Sequence, residues 1–171
     1  MIELVESVAI LERTPRVLYA ALRGLPDVWV HAVTEGPGTW SPYQVVGHLI
    51  HCERVDWMVR VETILQHGTA VTFAPLDREV HAQGSLDELL DEFAGLRAAS
   101  LARLKVAPED LEREGTHPAL GRVTLGQLIA TWTAHDMAHL LQIYRVMARR
   151  YRDEVGPWAE YLSVMRMPPG V

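Results

Sequence analysis

The sequence predicts an all-α fold, a four-helix bundle with long crossover loops and a short C-terminal helix. Two observations carry that prediction. A helix-start signal, Ser or Thr with Gln or Glu three residues later, stands at Ser41-Pro42-Tyr43-Gln44, Ser85-Leu86-Asp87-Glu88 and Thr124-Leu125-Gly126-Gln127. In each, the hydroxyl can accept from a spare backbone N–H of the first turn while the longer side chain reaches back to the cap residue. Each signal is also followed by apolar residues at helical spacing rather than by strand alternation.

The elements follow in order. A first helix runs from about Ile2 to Arg23, its apolar stripe including Leu4, Val8, Leu11, Leu18 and Leu22. Thr14-Pro15 falls inside it and should kink or split it, because proline lacks the N–H and crowds the preceding turn. Gly24-Leu25-Pro26 ends it. The second helix runs from Pro42, a residue suited to the first helical position, to about Gln66, and stops at His67-Gly68. The third covers about Leu86 to Lys105, ended by Ala107-Pro108, and the fourth about Leu125 to Arg150. Gly36-Pro37-Gly38, Thr69 to Gly84 and Glu109 to Val123 read as irregular connections. Val71-Thr72-Phe73 could be extended, but no strand pattern is strong enough to build a sheet. Gly156-Pro157-Trp158 starts a last short helix packing across one end. The long crossovers weaken the case for simple up-down-up-down order.

One domain spanning 1–171 is expected from a chain of 171 residues with 49% hydrophobic and 22% charged residues. The net charge of −6 and pI near 5.7 argue against a nucleic-acid partner, which calls for a basic face. No apolar stretch is long enough to cross a bilayer, so no membrane partner is expected. The N-terminus carries early acids and no basic run before an apolar segment, unlike a signal peptide. Cys52 is the single cysteine, so no intrachain disulfide can form. A cytoplasmic, reducing location is expected.

Helical geometry sorts the eight histidines. The inward stripe of the fourth helix is Leu125, Leu128, Ile129, Trp132, His135, His139, Ile143 and Val146. His135 and His139 lie one turn apart, about 6 Å along the axis, so their rings can meet at one point. The inward stripe of the second helix is Val45, His48, Leu49, Cys52, Val55, Asp56 and Val59, with His51 roughly 60° off it. His31, His67, His81 and His117 fall in loops or at a helix end. A lone imidazole on an apolar stripe is commonly a hydrogen-bonded core residue. Three on facing stripes bury several polar nitrogens at about 1–3 kcal/mol for each left unpaired, and one cation would satisfy three together. Spacing alone leaves a metal site and structural histidines both open. Asp56, two turns beyond His48, and Asp136, beside His135, are candidates to orient an imidazole through its far nitrogen. Cys52 reads as a small buried hydrophobe with fourth-ligand and redox roles as alternatives, Glu53 as a solvated side chain, and His51 as a reserve ligand. Of the tryptophans, Trp132 is the one placed near the metal, and Glu109 to Glu114 reads as a solvated charge run.

Two segments resemble the DinB/YfiT-like family of bacterial helical-bundle proteins. The first is Trp40-Ser41-Pro42-Tyr43-Gln44-Val45-Val46-Gly47-His48-Leu49. The second is His117-Pro118-Ala119-Leu120-Gly121-Arg122-Val123-Thr124-Leu125, leading to His135-Asp136-Met137-Ala138-His139-Leu140-Leu141-Gln142-Ile143. The resemblance implies a four-helix bundle with a three-histidine metal site, often in a homodimer, and carries over His48, His135 and His139 as ligands. It also implies a divalent metal ion, with zinc foremost and nickel or iron as alternatives. Some relatives are metal-dependent transferases or isomerases using low-molecular-weight thiols such as bacillithiol or mycothiol, and the activity does not follow from the bundle alone.

Three imidazoles leave an ion its full charge and an open position, the arrangement of catalytic rather than structural zinc. With the resemblance, which implies thiol-dependent relatives, the first expectation is a metal-dependent enzyme carrying out thiol-dependent S-transfer on a small-molecule substrate. Metal-dependent hydrolysis is the second, and a non-catalytic helical binding or dimerisation module, with a structural metal or buried histidines, is the third.

Overall fold

A computed structural model describes residues 3–77 and 83–168. The expected start at Ile2, His81 and part of the Thr69 to Gly84 connection lie outside the described residues. The first bundle member is split as Thr14-Pro15 predicts, into α1 (Leu4–Leu11) and α2 (Thr14–Leu22), with Pro15 in the first turn of α2, where no N–H is needed. A single turn, α3 (Asp27–Val30), follows.

The three capping signals all form helix starts. Ser41 opens α4 (Pro42–Val55), Ser85 opens α6 (Leu86–Arg103) and Thr124 opens α7 (Leu125–Arg149), each with the reciprocal pair of bonds in place. At Ser41, for example, Gln44 Oε1 accepts from the backbone N–H at 2.9 Å.

The second member is not continuous. It breaks at Asp56, with φ −117° and ψ −71°, before α5 (Trp57–His67). The hydrogen-bond ladder survives the break: Asp56 N donates to Cys52 O at 3.0 Å and Arg60 N to Asp56 O at 2.9 Å. What changes is the face. Val55 and Val59, expected inward, are about half exposed, and Trp57, Met58, Val61 and Ile64 take the core positions. Aspartate competes poorly for helix interiors, and here its buried carboxylate turns to Arg60 at 2.6 Å.

A second departure lies before the fourth member. Glu114 to Val123 was expected as loop, but Glu114–His117 (β1) and Gly121–Thr124 (β2) pair as a short antiparallel hairpin. Its turn is made by His117, whose Nδ1 accepts from the N–H groups of Ala119 and Leu120 at 3.1 Å each, and by Gly121 at φ +73°. Val71-Thr72-Phe73 runs alongside: Thr72 bridges Thr116, and Phe73 N donates to Thr116 O at 2.9 Å. The expected C-terminal helix is a pair of 3-10 turns, Gly156–Tyr161 and Ser163–Met165. Only the second packs substantially on α7; Trp158 stays largely exposed.

The members do not follow one another around the bundle. The principal packing joins α1–α2 to α6 and α7, and α4–α5 to the same two helices. The spatial ring is therefore first, third, second, fourth. Both diagonal steps are made by long connections, 23–41 and 104–124, which explains their length.

The core divides into two apolar clusters. One holds Leu11, Trp57, Ile64, Leu128 and Trp132; the other holds Leu18, Leu49, Phe93 and Ile143. Between them, in sequence along every member, lie buried polar residues: Thr14, Glu53, Arg97, Asp136 and His139, with His48 one turn before Cys52 on α4. The bundle carries a polar belt at mid-height. No helix among the described residues is long and apolar enough to cross a membrane.

Candidate metal centre

The belt brings His48 of α4 against His135 and His139 of α7. His48 Nε2 and His135 Nε2 are 3.2 Å apart, and His135 Nε2 and His139 Nε2 are 3.1 Å apart. The rings of His48 and His139 have centroids 4.8 Å apart. His135 Nε2 thus stands between the ε-nitrogens of His48 and His139, and the two facing stripes bring the three rings together. A tetrahedral ion with metal–nitrogen bonds of about 2.0–2.1 Å separates its nitrogen donors by about 3.3 Å. The spacings of His135 Nε2 to its two neighbours fit that edge. His48 and His139 are buried and His135 is half-buried, so the cluster reaches the surface on the His135 side.

The rings are held from outside. His139 Nδ1 lies 2.8 Å from Gln142 Oε1. An amide oxygen only accepts, so the proton sits on Nδ1 and the lone pair of Nε2 is left facing the cluster. Trp40, just before α4, packs its ring 4.8 Å from that of His48 and stacks 6.2 Å from that of His139. Trp57 meets His135 edge-on at 5.1 Å. Trp132, the tryptophan expected at the metal, is one layer further out: it stacks on Trp57 at 5.7 Å, and its indole N–H donates to Glu53 Oε1 at 3.1 Å. The break at Asp56 is what turns Trp57 inward in its place.

Cys52 is fully buried one turn after His48, its Sγ 3.4 Å from His48 Nε2. Donor atoms of His48, Cys52 and His135 all lie within 4.8 Å of one another. Burial, with Asp56 and Glu53 adding to it, pushes the thiol pKa up to about 12, so without a cation the sulfur keeps its proton.

The carboxylates take other roles than the ones expected. Asp136 forms a two-point pair with Arg97, at 2.6 and 3.0 Å, on the side of α7 facing α6. Glu53, expected in solvent, is buried, with Oε1 accepting from Arg97 Nε at 2.9 Å. A third partner is Leu11 O, which accepts from Arg97 at 2.9 Å. Burial opposes the Arg97 charge, and the Asp136 and Glu53 carboxylates outweigh it, holding its pKa above the ordinary value. Asp56 pairs with Arg60; burial raises its pKa, opposed by Arg60, His117 and His51.

Of the remaining histidines, His31 packs on Tyr43, His67 ends α5 and His117 forms the hairpin turn. The loop that carries Trp40 is pinned to α7. Glu35 is buried between Arg145 and Arg149, with Arg145 donating to Oε2 at 2.9 Å, and Thr34 Oγ1 donates to Val146 O at 2.7 Å.

Arg97, Gln142, Glu35 and the walls Trp40 and Trp57 are the residues that spacing rules passed over. Gln142 had a readable signal, since it stands one turn after His139. The partners of Arg97 lie 39 and 44 positions away, beyond any local pattern.

Residues 10–143 match the model of the DinB superfamily. Among curated proteins no sequence matches the chain. Among solved structures, YfiT from Bacillus subtilis, described as a probable metal-dependent hydrolase with an unusual four-helix bundle topology, is similar in fold. It aligns with a TM-score of 0.76 at 20% identity, over 88% of this chain and 90% of that one.

Proposed function

The chain belongs to the DinB superfamily, and on that premise we propose that it is a metal-dependent enzyme holding one divalent ion between His48, His135 and His139. The reaction we assign is group transfer from a low-molecular-weight thiol to a small electrophile. The placement of His135 Nε2 3.2 Å from His48 Nε2 and 3.1 Å from His139 Nε2 carries the reading. Held by neutral imidazoles, a divalent ion supplies Lewis acidity that makes a thiol or water nucleophilic near neutral pH. Zinc suits the donors best, with nickel and iron also able to use imidazole.

The chain's own residues prepare that centre. Gln142 fixes the His139 tautomer. Trp40 and Trp57 wall the rings and exclude water on two sides. The half-buried edge at His135 is the side from which a small molecule can arrive.

A second reading keeps the ion and uses water in place of thiol. The likeness to YfiT, itself described as a probable metal-dependent hydrolase, favours it. A second copy of the chain belongs to the proposal as well: Met137, Leu141 and Tyr144, one turn apart on α7 and about half exposed, are the apolar surface such a copy would cover.

The first experiment is elemental analysis of untagged protein beside His48→Ala and His139→Ala. Near-stoichiometric metal in the parent and loss in both variants is expected. Protein that takes up no zinc, nickel or iron on reconstitution would end the reading. Turnover with paired thiol and electrophile, against ester or amide substrates alone, then separates transfer from hydrolysis.

A further inference from the structure

Resting on the three-histidine reading, we propose that Cys52 Sγ is a fourth protein donor to the same ion, so that the resting centre has three imidazoles and one thiolate. Two facing helices each carry a pair of donors four residues apart, His48 and Cys52 on α4 and His135 and His139 on α7. Residues so spaced share a helix face and can aim at one point between the helices. The donor atoms of His48, Cys52 and His135 lie within 4.8 Å of one another, and His139 joins them through His135 Nε2 at 3.1 Å. The sulfur lies 3.4 Å from His48 Nε2, the same nitrogen that lies 3.2 Å from His135 Nε2. Metal–sulfur and metal–nitrogen bonds of about 2.3 and 2.0–2.1 Å at a tetrahedral angle place sulfur and nitrogen about 3.5 Å apart.

Cys52 also touches the apolar cluster of Trp57, Ile64 and Trp132, and a small apolar side chain would fill that space as well. Packing alone gives no reason for the sulfur to stand beside the coordinating nitrogen of His48. On ligation the Cys52 S–H bond breaks, its proton leaves to solvent and the sulfur lone pair goes to the metal; nothing is oxidised or reduced. A thiolate in the donor set narrows the choice of metal. It favours zinc and cobalt and disfavours the hard ions magnesium and manganese. It also lowers the net charge of the centre by one, tempering its Lewis acidity. The sulfur takes the position that three imidazoles leave open, so a substrate would enter by expansion to five ligands or by displacing Cys52.

The test uses the full chain loaded with cobalt(II), read by absorption, with Cys52→Ser and Cys52→Ala alongside. The parent protein should show visible ligand-field bands together with a near-ultraviolet sulfur-to-cobalt charge-transfer band. Both variants should keep the visible bands and lose the charge-transfer band, and should bind zinc at least about tenfold more weakly in a chelator competition. Visible bands without a charge-transfer band in the parent would refute Cys52 ligation and leave the three histidines standing. No cobalt uptake at all would remove the metal reading and this inference with it. If the variants fail to fold, X-ray absorption of the zinc-loaded parent decides: one sulfur in the shell supports the inference, and nitrogen and oxygen alone overturn it.

Discussion

Gln142 does for His139 what the sequence assigned to a carboxylate. Its Oε1 sits 2.8 Å from His139 Nδ1 and the side chain is buried, so the bond is shielded from water. Replacing it with Leu keeps the volume and removes the acceptor. Gln142→Leu should weaken zinc binding about 10–100-fold while changing the stability of the metal-free protein by about 1 kcal/mol. Chelator competition and denaturant melts read the two separately. A variant that melts earlier but binds zinc as before would show Gln142 to be packing only. The inward placement of His48, His135 and His139 was legible because helical periodicity is a local rule, whereas Cys52, on the same stripe as His48, read only as a small buried hydrophobe. Asp136 and Glu53 were misassigned because their partner, Arg97, comes from a third helix. A one-dimensional pattern says which face a residue occupies and not which distant side chain meets it there.

At the scale of elements, caps were readable and tertiary adjustments were not. Ser41, Ser85 and Thr124 bond within four residues, so their signals are complete in the sequence. The break at Asp56 and the hairpin of β1 and β2 are set by what packs against them. Gly115 shows this most directly. A β-carbon there would meet Ile64 Cγ1 and Phe73 Cζ at 2.7 Å each, so β1 can lie on α5 only without a side chain at this position. Gly115→Ala should cost about 1–3 kcal/mol through overpacking. Its effect should be local: hydrogen exchange should rise first in β1, β2 and the Thr72 segment, with α4 and α6 retaining protection. Uniform loss of protection would mean that the hairpin is integral to the bundle rather than a flap laid upon it.

For the whole molecule, the polar belt is the feature that has to be reconciled with a stable bundle. Arg97 joins α6 to α4 through Glu53, to α7 through Asp136 and to the first member through Leu11 O, so one side chain ties all four members at mid-height. That junction also fixes α4 against α7, and with it the meeting of His48 with His135. Buried charge is costly to desolvate, so the junction contributes more to position than to net stability. Removing one partner is another matter. Arg97→Met strands two carboxylates in the interior and should cost about 3–5 kcal/mol, a fall in Tm on the order of 10 °C for a chain of this size. The triple variant Glu53→Leu, Arg97→Met, Asp136→Leu removes the stranded charges and should recover most of that loss in the metal-free protein. It should still bind zinc more weakly than the parent, because nothing then sets the register of the ligand helices. Denaturant unfolding of the single and triple variants, each with a zinc titration, measures both quantities. A triple variant with parental zinc affinity would show that apolar packing alone aligns α4 and α7, and that the belt's charges are incidental to the centre they surround.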